Sequence, residues 1–403
     1  MIIRGSVSAA GPAIAHRYDP AMPDAWKVIE VARVFLGLGC TSFGGPVAHI
    51  GYFREAFVRR RAWLDETRFA ELLALAQTLP GPASSQLGFA IGVERAGVAG
   101  GVAAWLAFTL PSASLMFAAA CGWRVLDGTH SDGLLNGLKA AAVGVVAHAV
   151  WSMAHTLAPD TPRRTIALLA AAVAIWWSAS VGQFAAIGLG AIGGLALCRP
   201  SLTAIASRVT RVSPRQAWVA LLLSAVAVAV PWSAWSVFAR SGALTFGGGH
   251  VVLPLLESRL VHTGGIDAST FLAGYGVAQA LPGPLFAFAA FAGAEMPNSI
   301  SPAAGAAIAT CAIFAPGLLL MLAAMPLLGS LRARPRAMSA LMGVNAAVVG
   351  LLLAALFGPI QRAGVASVPT ACIAIAMVAM LSTLRWPVPL LVLLAGALGA
   401  AVA

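Results

Sequence analysis

Gln77-Thr78-Leu79-Pro80-Gly81-Pro82 occurs again further along this chain as Gln279-Ala280-Leu281-Pro282-Gly283-Pro284. Both copies lie inside apolar runs. A Pro-Gly-Pro unit removes two backbone donors, fixes two φ angles and sets the most flexible residue between them, so no helix passes through it undisturbed. The same break at matching places predicts a chain organised around two interrupted membrane segments.

Composition supports a membrane setting. Of 403 residues, 60% are hydrophobic and 10% charged, with a mean hydropathy of +0.87. A soluble protein carries about 25% charged residues, so lipid must cover most of this one. Apolar runs of about 20 residues are long enough to cross a bilayer as helices. They are rich in Ala, Leu and Gly and lack two-residue alternation, which argues against an outer-membrane barrel. The expected fold is all-α: a polytopic membrane protein with an inverted-topology internal repeat and interrupted or re-entrant helices.

The formal charge of +11 would suggest nucleic acid in a soluble chain. Here arginines in short loops that orient helices account for it, and no nucleic-acid partner is expected. The five cysteines (Cys40, Cys121, Cys198, Cys311, Cys372) lie in apolar surroundings without C-x-x-C spacing. They read as buried thiols, with no disulfide frame or metal site. Residues 1–25 lack a sustained apolar core and read as a cytoplasmic tail.

In chain order, a short apolar run ends in Thr41-Ser42-Phe43-Gly44-Gly45-Pro46. Residues 50–68 follow as a basic amphipathic segment, with Phe53 and Phe57 one turn apart, expected to lie along the membrane surface. The first interrupted segment spans Phe69 to Val93, and spans near 98–121, 134–157, 165–180 and 182–198 complete a first repeat over 26–198. A basic loop with Arg199, Arg208, Arg211 and Arg215, and a linking span at 217–238 interrupted near Pro231, lead to the second half, 232–403. There Thr245-Phe246-Gly247-Gly248 repeats Ser42-Phe43-Gly44-Gly45, and Gly343 to Gly350 matches Gly137 to Gly144. Further spans fall near 303–328, 341–357, 369–384 and 387–402.

Orientation follows from arginine. Loop 46–68 is basic while its repeat, 250–270, has Glu257 and Asp267 against Arg259; loop 122–133 is acidic while its repeat carries Arg332, Arg334 and Arg336. The basic member of each pair belongs in the cytoplasm, so the halves face opposite ways. Counting every apolar run as a crossing gives thirteen and puts the basic loops 46–68 and 199–215 on opposite faces. The conflict disappears if the short first run and the interrupted segment of each half dip in and return, which re-entrant backbone can do where protein or a watery cavity satisfies it.

A duplicated apolar domain with a Phe-Gly-Gly turn followed by Gln-x-x-Pro-Gly-Pro resembles the chromate ion transporter family in its long, two-domain form, from about residue 27 to 400. The resemblance implies a multi-pass protein of the bacterial inner membrane that exports chromate and so confers resistance. Some relatives are linked to sulfate instead.

A tetrahedral dianion inside a membrane needs donors to replace its hydration shell. Free N–H groups at the start of a half-helix, with the positive end of its dipole, supply them. New half-helices are expected after Pro82, beginning Ala83-Ser84-Ser85-Gln86, and after Pro284, beginning Leu285-Phe286. The candidate substrate site therefore comprises Phe43, Gly44 and Gly45 with Phe246, Gly247 and Gly248; Pro80, Gly81, Pro82 and Ser84 with Pro282, Gly283 and Pro284; and Gln77 with Gln279, as donors or caps. Gly pairs also serve plain helix packing. Lys139 lies in a span, where a lysine costs about 2.5–3.5 kcal/mol unless it snorkels to the surface; its repeat partner is Asn345. Arg240 reads as interfacial. His49 and His250 flank the Gly pairs without being equivalents, as proton carriers or as donors at a helix end. Glu71 is the one acid well inside an interrupted segment.

With a negative interior, moving a divalent anion outward gains about 4–5 kcal/mol per 100 mV, so export needs no compulsory coupling ion. No nucleophile–base pair, metal-ligand cluster or Walker sequence appears, which argues against an enzyme or an ATP-driven pump. No cofactor is expected. The expected partners are chromate or a sulfate-like oxyanion and the lipid bilayer, with a homodimer as a candidate assembly.

Overall fold

The computed structural model describes residues 24–123, 131–177, 179–199, 211–231, 233–246, 249–261, 263–297, 301–327, 334–365, 367–384 and 386–402. The residue 1–23 part of the tail, most of the loops 122–133 and 199–215, Arg332, Gly247 and Gly248 lie outside them. The fold is all-α and polytopic. Each half begins with two hairpins of half-length helices.

In the first half, α1 (Asp24–Thr41) runs in and α2 (Gly45–Phe53, continued by a π-helical turn, Arg54–Arg60) runs back. The reversal is made by Gly44 and Gly45, whose φ angles of 95° and 75° suit only glycine. Phe35 of α1 stacks on Phe57 at 4.9 Å, which sets the two arms side by side. Next, α3 (Glu66–Thr78), capped by the Asp65 carboxylate on the Arg68 N–H, leads to the first break. Beyond it α4 (Ala83–Trp123) starts, and Arg68 meets Glu94 at 2.6 Å. The arms before and after the break are therefore antiparallel, with Pro80-Gly81-Pro82 at the hairpin tip. At Ala96–Gly97 the helix folds back again, separating arm 83–95 from arm 98–123.

The second half repeats this plan. α9 (Ser233–Ala243) runs in, and a 3-10 turn (Gly249–Val251) with α10 (Val252–Leu260) runs back. α11 (Ala268–Ala280), capped by Asp267, reaches the second break, and a turn at Leu285–Ala287 with α12 (Phe288–Glu295) returns, Phe271 lying edge to face with Phe288 at 5.1 Å. Both interrupted segments thus double back.

Longer helices follow each pair of hairpins. In the first half they are arm 98–123, α5 (Ser131–Leu157), α6 (Thr161–Trp176) and α7 (Ala179–Leu197). In the second they are α13 (Pro302–Ala324), α14 (Pro335–Ala355), α15 (Val368–Ala379) and α16 (Val388–Val402). Glycines let these helices touch across the halves. Gly137 of α5 backs onto the Ala395 carbonyl of α16, as Gly343 of α14 backs onto the Gly190 carbonyl of α7. Gly144 meets Met377 and Ala374 of α15, as Gly350 meets Ala167 and Ala171 of α6. The closing pair of each half packs on the long helix of the other, a reciprocal exchange that relates the halves by an approximate two-fold axis. Outward faces carry Leu168, Ile175, Trp176, Ile375 and Leu393, all exposed in the bare chain, as a bilayer-covered surface requires.

Three expectations are corrected. The linking span at 217–238 is two elements: α8 (Pro214–Ala229) stands between the halves, and after Pro231 the chain starts α9, the counterpart of α1. The 50–68 segment does not lie on the surface by its aromatic face, because Phe53 and Phe57 are fully buried against Phe35, Phe108 and Trp63. Its Arg54, Arg59 and Arg60 remain exposed, paired with Glu66 and Glu55. Of the five cysteines only Cys198 is buried. Cys40, Cys121, Cys311 and Cys372 are exposed because apolar neighbours in this chain mark lipid-facing helix surfaces as well as core.

Candidate functional site

The two hairpin tips are tied to the opposite halves. Gly81 N–H donates to the Thr245 carbonyl at 2.6 Å, and Gly283 N–H donates to the Ser42 carbonyl at 2.9 Å. Ser42 and Thr245 are repeat equivalents, each immediately before a Phe-Gly-Gly turn. Each break is thus sealed by the turn of the other half. Both glycines carry φ angles, 128° and 95°, closed to other residues. A Cβ at Gly81 would meet Gly317 Cα at 3.0 Å, and one at Gly283 would meet Ser112 Oγ at 2.7 Å. Gly317 and Ser112 each follow a proline inside a long helix, Pro316 in α13 and Pro111 in α4. That second pair of prolines was a readable repeat, and it would have pointed to both residues.

Around the first tip the environment is polar. His49 Nε2 lies 3.2 Å from Ser42 O and Nδ1 lies 3.4 Å from Ser84 Oγ. A carbonyl only accepts, so Nε2 carries a hydrogen, and in a neutral ring Nδ1 accepts from the Ser84 hydroxyl. Gln86 Nε2 donates to Pro80 O at 2.9 Å and Gly317 O at 3.0 Å, which fixes its amide and leaves Oε1 buried without a partner. Ser42 and Ser85 hydroxyls and Thr109 Oγ1 are also buried without partners.

Behind this tip lies a charged layer. Arg68, 5% exposed, binds Glu71 at 2.8 Å as well as Glu94, and Arg95 binds Glu30 at 2.7 Å beneath its contact with the Trp63 ring. Glu71 is therefore one side of a buried ion pair.

The second tip is aromatic. Phe286, Phe288, Phe291 and Phe314 are all buried there. Its polar groups stand further back: His250 Nδ1 is 2.8 Å from the Tyr275 hydroxyl, and the Gln279 side-chain nitrogen lacks a partner. Gln77, its equivalent, is exposed at the end of α3.

The remaining candidates are dispersed. Phe43 is exposed and Phe246 half-buried. Lys139 is half-buried on α5, its ammonium 3.4 Å from Asn136 Oδ1, next to Leu138, whose carbonyl faces Gly276 of α11. Asn345, its equivalent on α14, has a buried Oδ1 without a partner. Arg240 reaches back to the Val228 carbonyl at 3.3 Å, toward the outer end of α9. Among the described residues, a hollow of about 250 Å³ lies between arm 98–123 and α13 and another of about 260 Å³ beside Gln183, Glu257 and Arg362; neither of these is lined by a Pro-Gly-Pro unit.

Discontinuous helices whose broken ends meet between two related repeats are the architecture of a multi-pass membrane transporter. No solved structure matches the chain. The chain belongs to the chromate transporter family, whose model, Chromate transporter, matches residues 29–198 and 232–400. It is 30% identical over 346 residues to a chromate transport protein of Pseudomonas aeruginosa, covering 82% of this chain and 81% of that one. It is 27% identical over 389 residues to a probable chromate transport protein of Synechococcus elongatus, covering 93% and 95%. A chromate transport protein of Cupriavidus metallidurans is 27% identical over 364 residues, 87% of each chain.

Proposed function

We propose that this protein is a secondary transporter of the bacterial inner membrane that moves chromate out of the cytoplasm and so confers resistance to it. The observation that carries the reading is the reciprocal sealing of the two breaks, Gly81 to Thr245 and Gly283 to Ser42. It supports a single central gate shared by both halves, at which a substrate meets half-helix ends that neither face reaches freely. In this closed form the amides of Gly81 and Gly283 are taken by carbonyls. An anion passing the gate therefore draws on the neighbouring donors, Ser84 among them, while the two bridging bonds part and re-form as the repeats rock.

Membrane potential supports the outward direction, since a dianion leaving a negative interior gains about 4–5 kcal/mol per 100 mV. The test is labelled chromate flux into inside-out vesicles at varied potential, with sulfate as competitor. Export predicts accumulation that rises with an inside-positive potential in these vesicles. Accumulation that is absent there and present in right-side-out vesicles would overturn the direction. Displacement of chromate flux by sulfate alone would reassign the substrate.

A further inference from the structure

The first turn after Pro82 and the first turn after Pro284 occupy equivalent places but offer different chemistry. In the first, the opening ladder bond runs from Gln86 N–H to Pro82 O at 2.9 Å, so the amides of Ala83, Ser84 and Ser85 precede the ladder. Hydroxyls stand around them: Ser84 is 4% exposed, Ser85 1%, and Ser42, brought from the end of α1, 0%. The Ser42 and Ser85 hydroxyls have no hydrogen-bond partner, a costly state for a buried donor. In the second turn the ladder closes one position earlier in the repeat, Ala287 N–H to Pro284 O at 2.9 Å, and the places of Ser84, Ser85 and Gln86 are taken by Phe286, Ala287 and Phe288.

We infer that the oxyanion seat lies on the first half alone, at the first turn after Pro82, with Ser42, Ser84 and Ser85 as hydroxyl donors and His49 as the positioning residue for Ser84. The assignment rests on the oxyanion-transport reading. A dianion asks its site for donors only. While His49 is neutral, the Ser84 hydrogen is directed at Nδ1 and away from an anion. A second proton on the ring makes Nδ1 a donor to Ser84 Oγ and turns the Ser84 hydrogen toward the seat. One proton drawn from water thus adds one donor and one positive charge beside the anion. Among the described residues no charged side chain touches the ring: from α1 it meets the Ser42 carbonyl, and from α4 it meets Ser84 and the Phe108 ring at 5.2 Å. The anion is the partner that proton would have.

The test uses the full chain in lipid nanodiscs, titrated with chromate and, over a pH series, with sulfate, which stays a dianion throughout. Ser84→Ala and Ser85→Ala should each weaken chromate binding about tenfold or more, the scale of a hydrogen bond to a charged group. Ser85→Thr should restore it, and Ala287→Ser should leave it unchanged. Sulfate should bind more tightly to the wild type as pH falls, with one proton taken up per anion; His49→Gln should bind with no pH dependence. If the alanine variants bind as the wild type, or His49→Gln keeps the pH dependence, the seat is elsewhere while the transport reading stands. A folded wild type that binds neither anion would overturn the transport reading and the seat together.

Discussion

The two broken hairpins share a backbone and differ in almost every side chain that matters chemically. α3 and arm 83–95 carry Arg68, Glu71, Ser84, Ser85, Gln86 and Glu94; the same places along α11, the turn after it, α12 and the residue that follows hold Thr270, Ala273, Phe286, Ala287, Phe288 and Met296. Duplication preserved what the crossing needs: the Gly at each tip, the aspartate cap of each ingoing arm and the carbonyl each tip donates to. The buried ion pairs and the hydroxyls of the turn after the break were left to one side. The proposed gate can therefore be symmetric in motion and one-sided in recognition.

The largest effect should come from the shared feature. Gly81→Leu and Gly283→Leu should each abolish chromate transport while the protein still inserts, because a side chain at either φ is strained and meets Gly317 or Ser112. Transport surviving in one variant would show that the tips are not equivalent parts of one gate. Next is the feature only one half possesses. Arg68→Met leaves buried Glu71 and half-buried Glu94 without their guanidinium, and breaking a buried pair costs about 3–5 kcal/mol. Thr270→Met at the equivalent place should change thermal stability far less. Equal losses would mean that the charged layer does not hold the first hairpin in place.

Smaller effects separate the caps of the closing helices. Asp160 caps α6 and Ser367 caps α15. Loss of either cap should cost about 0.5–2 kcal/mol. The Arg163 guanidinium and backbone N–H hold the Asp160 carboxyl below its usual range. A depressed folded-state value means that the stabilisation is present above the unfolded carboxylate range and is lost as pH falls through the folded one, an effect kept small by solvent exposure. Melting curves of Asp160→Asn should show a pH dependence reduced relative to the wild type in acid; Ser367→Ala should leave that dependence unchanged.

Much of this was legible in the sequence because membrane constraints are blunt. Repeated Pro-Gly-Pro and Phe-Gly-Gly units, apolar run lengths and the placement of arginine led to the all-α class, the repeat and the doubling back of the interrupted segments. The burial of Phe53 and Phe57 was not legible, since an amphipathic face reads the same whether it meets lipid or protein. The same ambiguity hid the outward cysteines. The bond of each tip to the opposite half involves carbonyls of Ser42 and Thr245, and backbone partners so far apart in the chain leave no pattern in side chains. Lys139 drew attention as an intramembrane charge, yet what the fold gathers at the first tip is a set of neutral hydroxyls around one histidine.

Entry of the two hairpin pairs from opposite membrane faces, to meet at their tips, is open to a direct measurement. Single cysteines at Arg59, Thr263 and Arg334, each exposed, placed in a chain whose own five cysteines have been replaced, test it by labelling with an impermeant thiol reagent in right-side-out and inside-out vesicles. Arg59→Cys and Arg334→Cys should react from the cytoplasmic face and Thr263→Cys from the other. Labelling of Arg59→Cys and Thr263→Cys from the same face would contradict it.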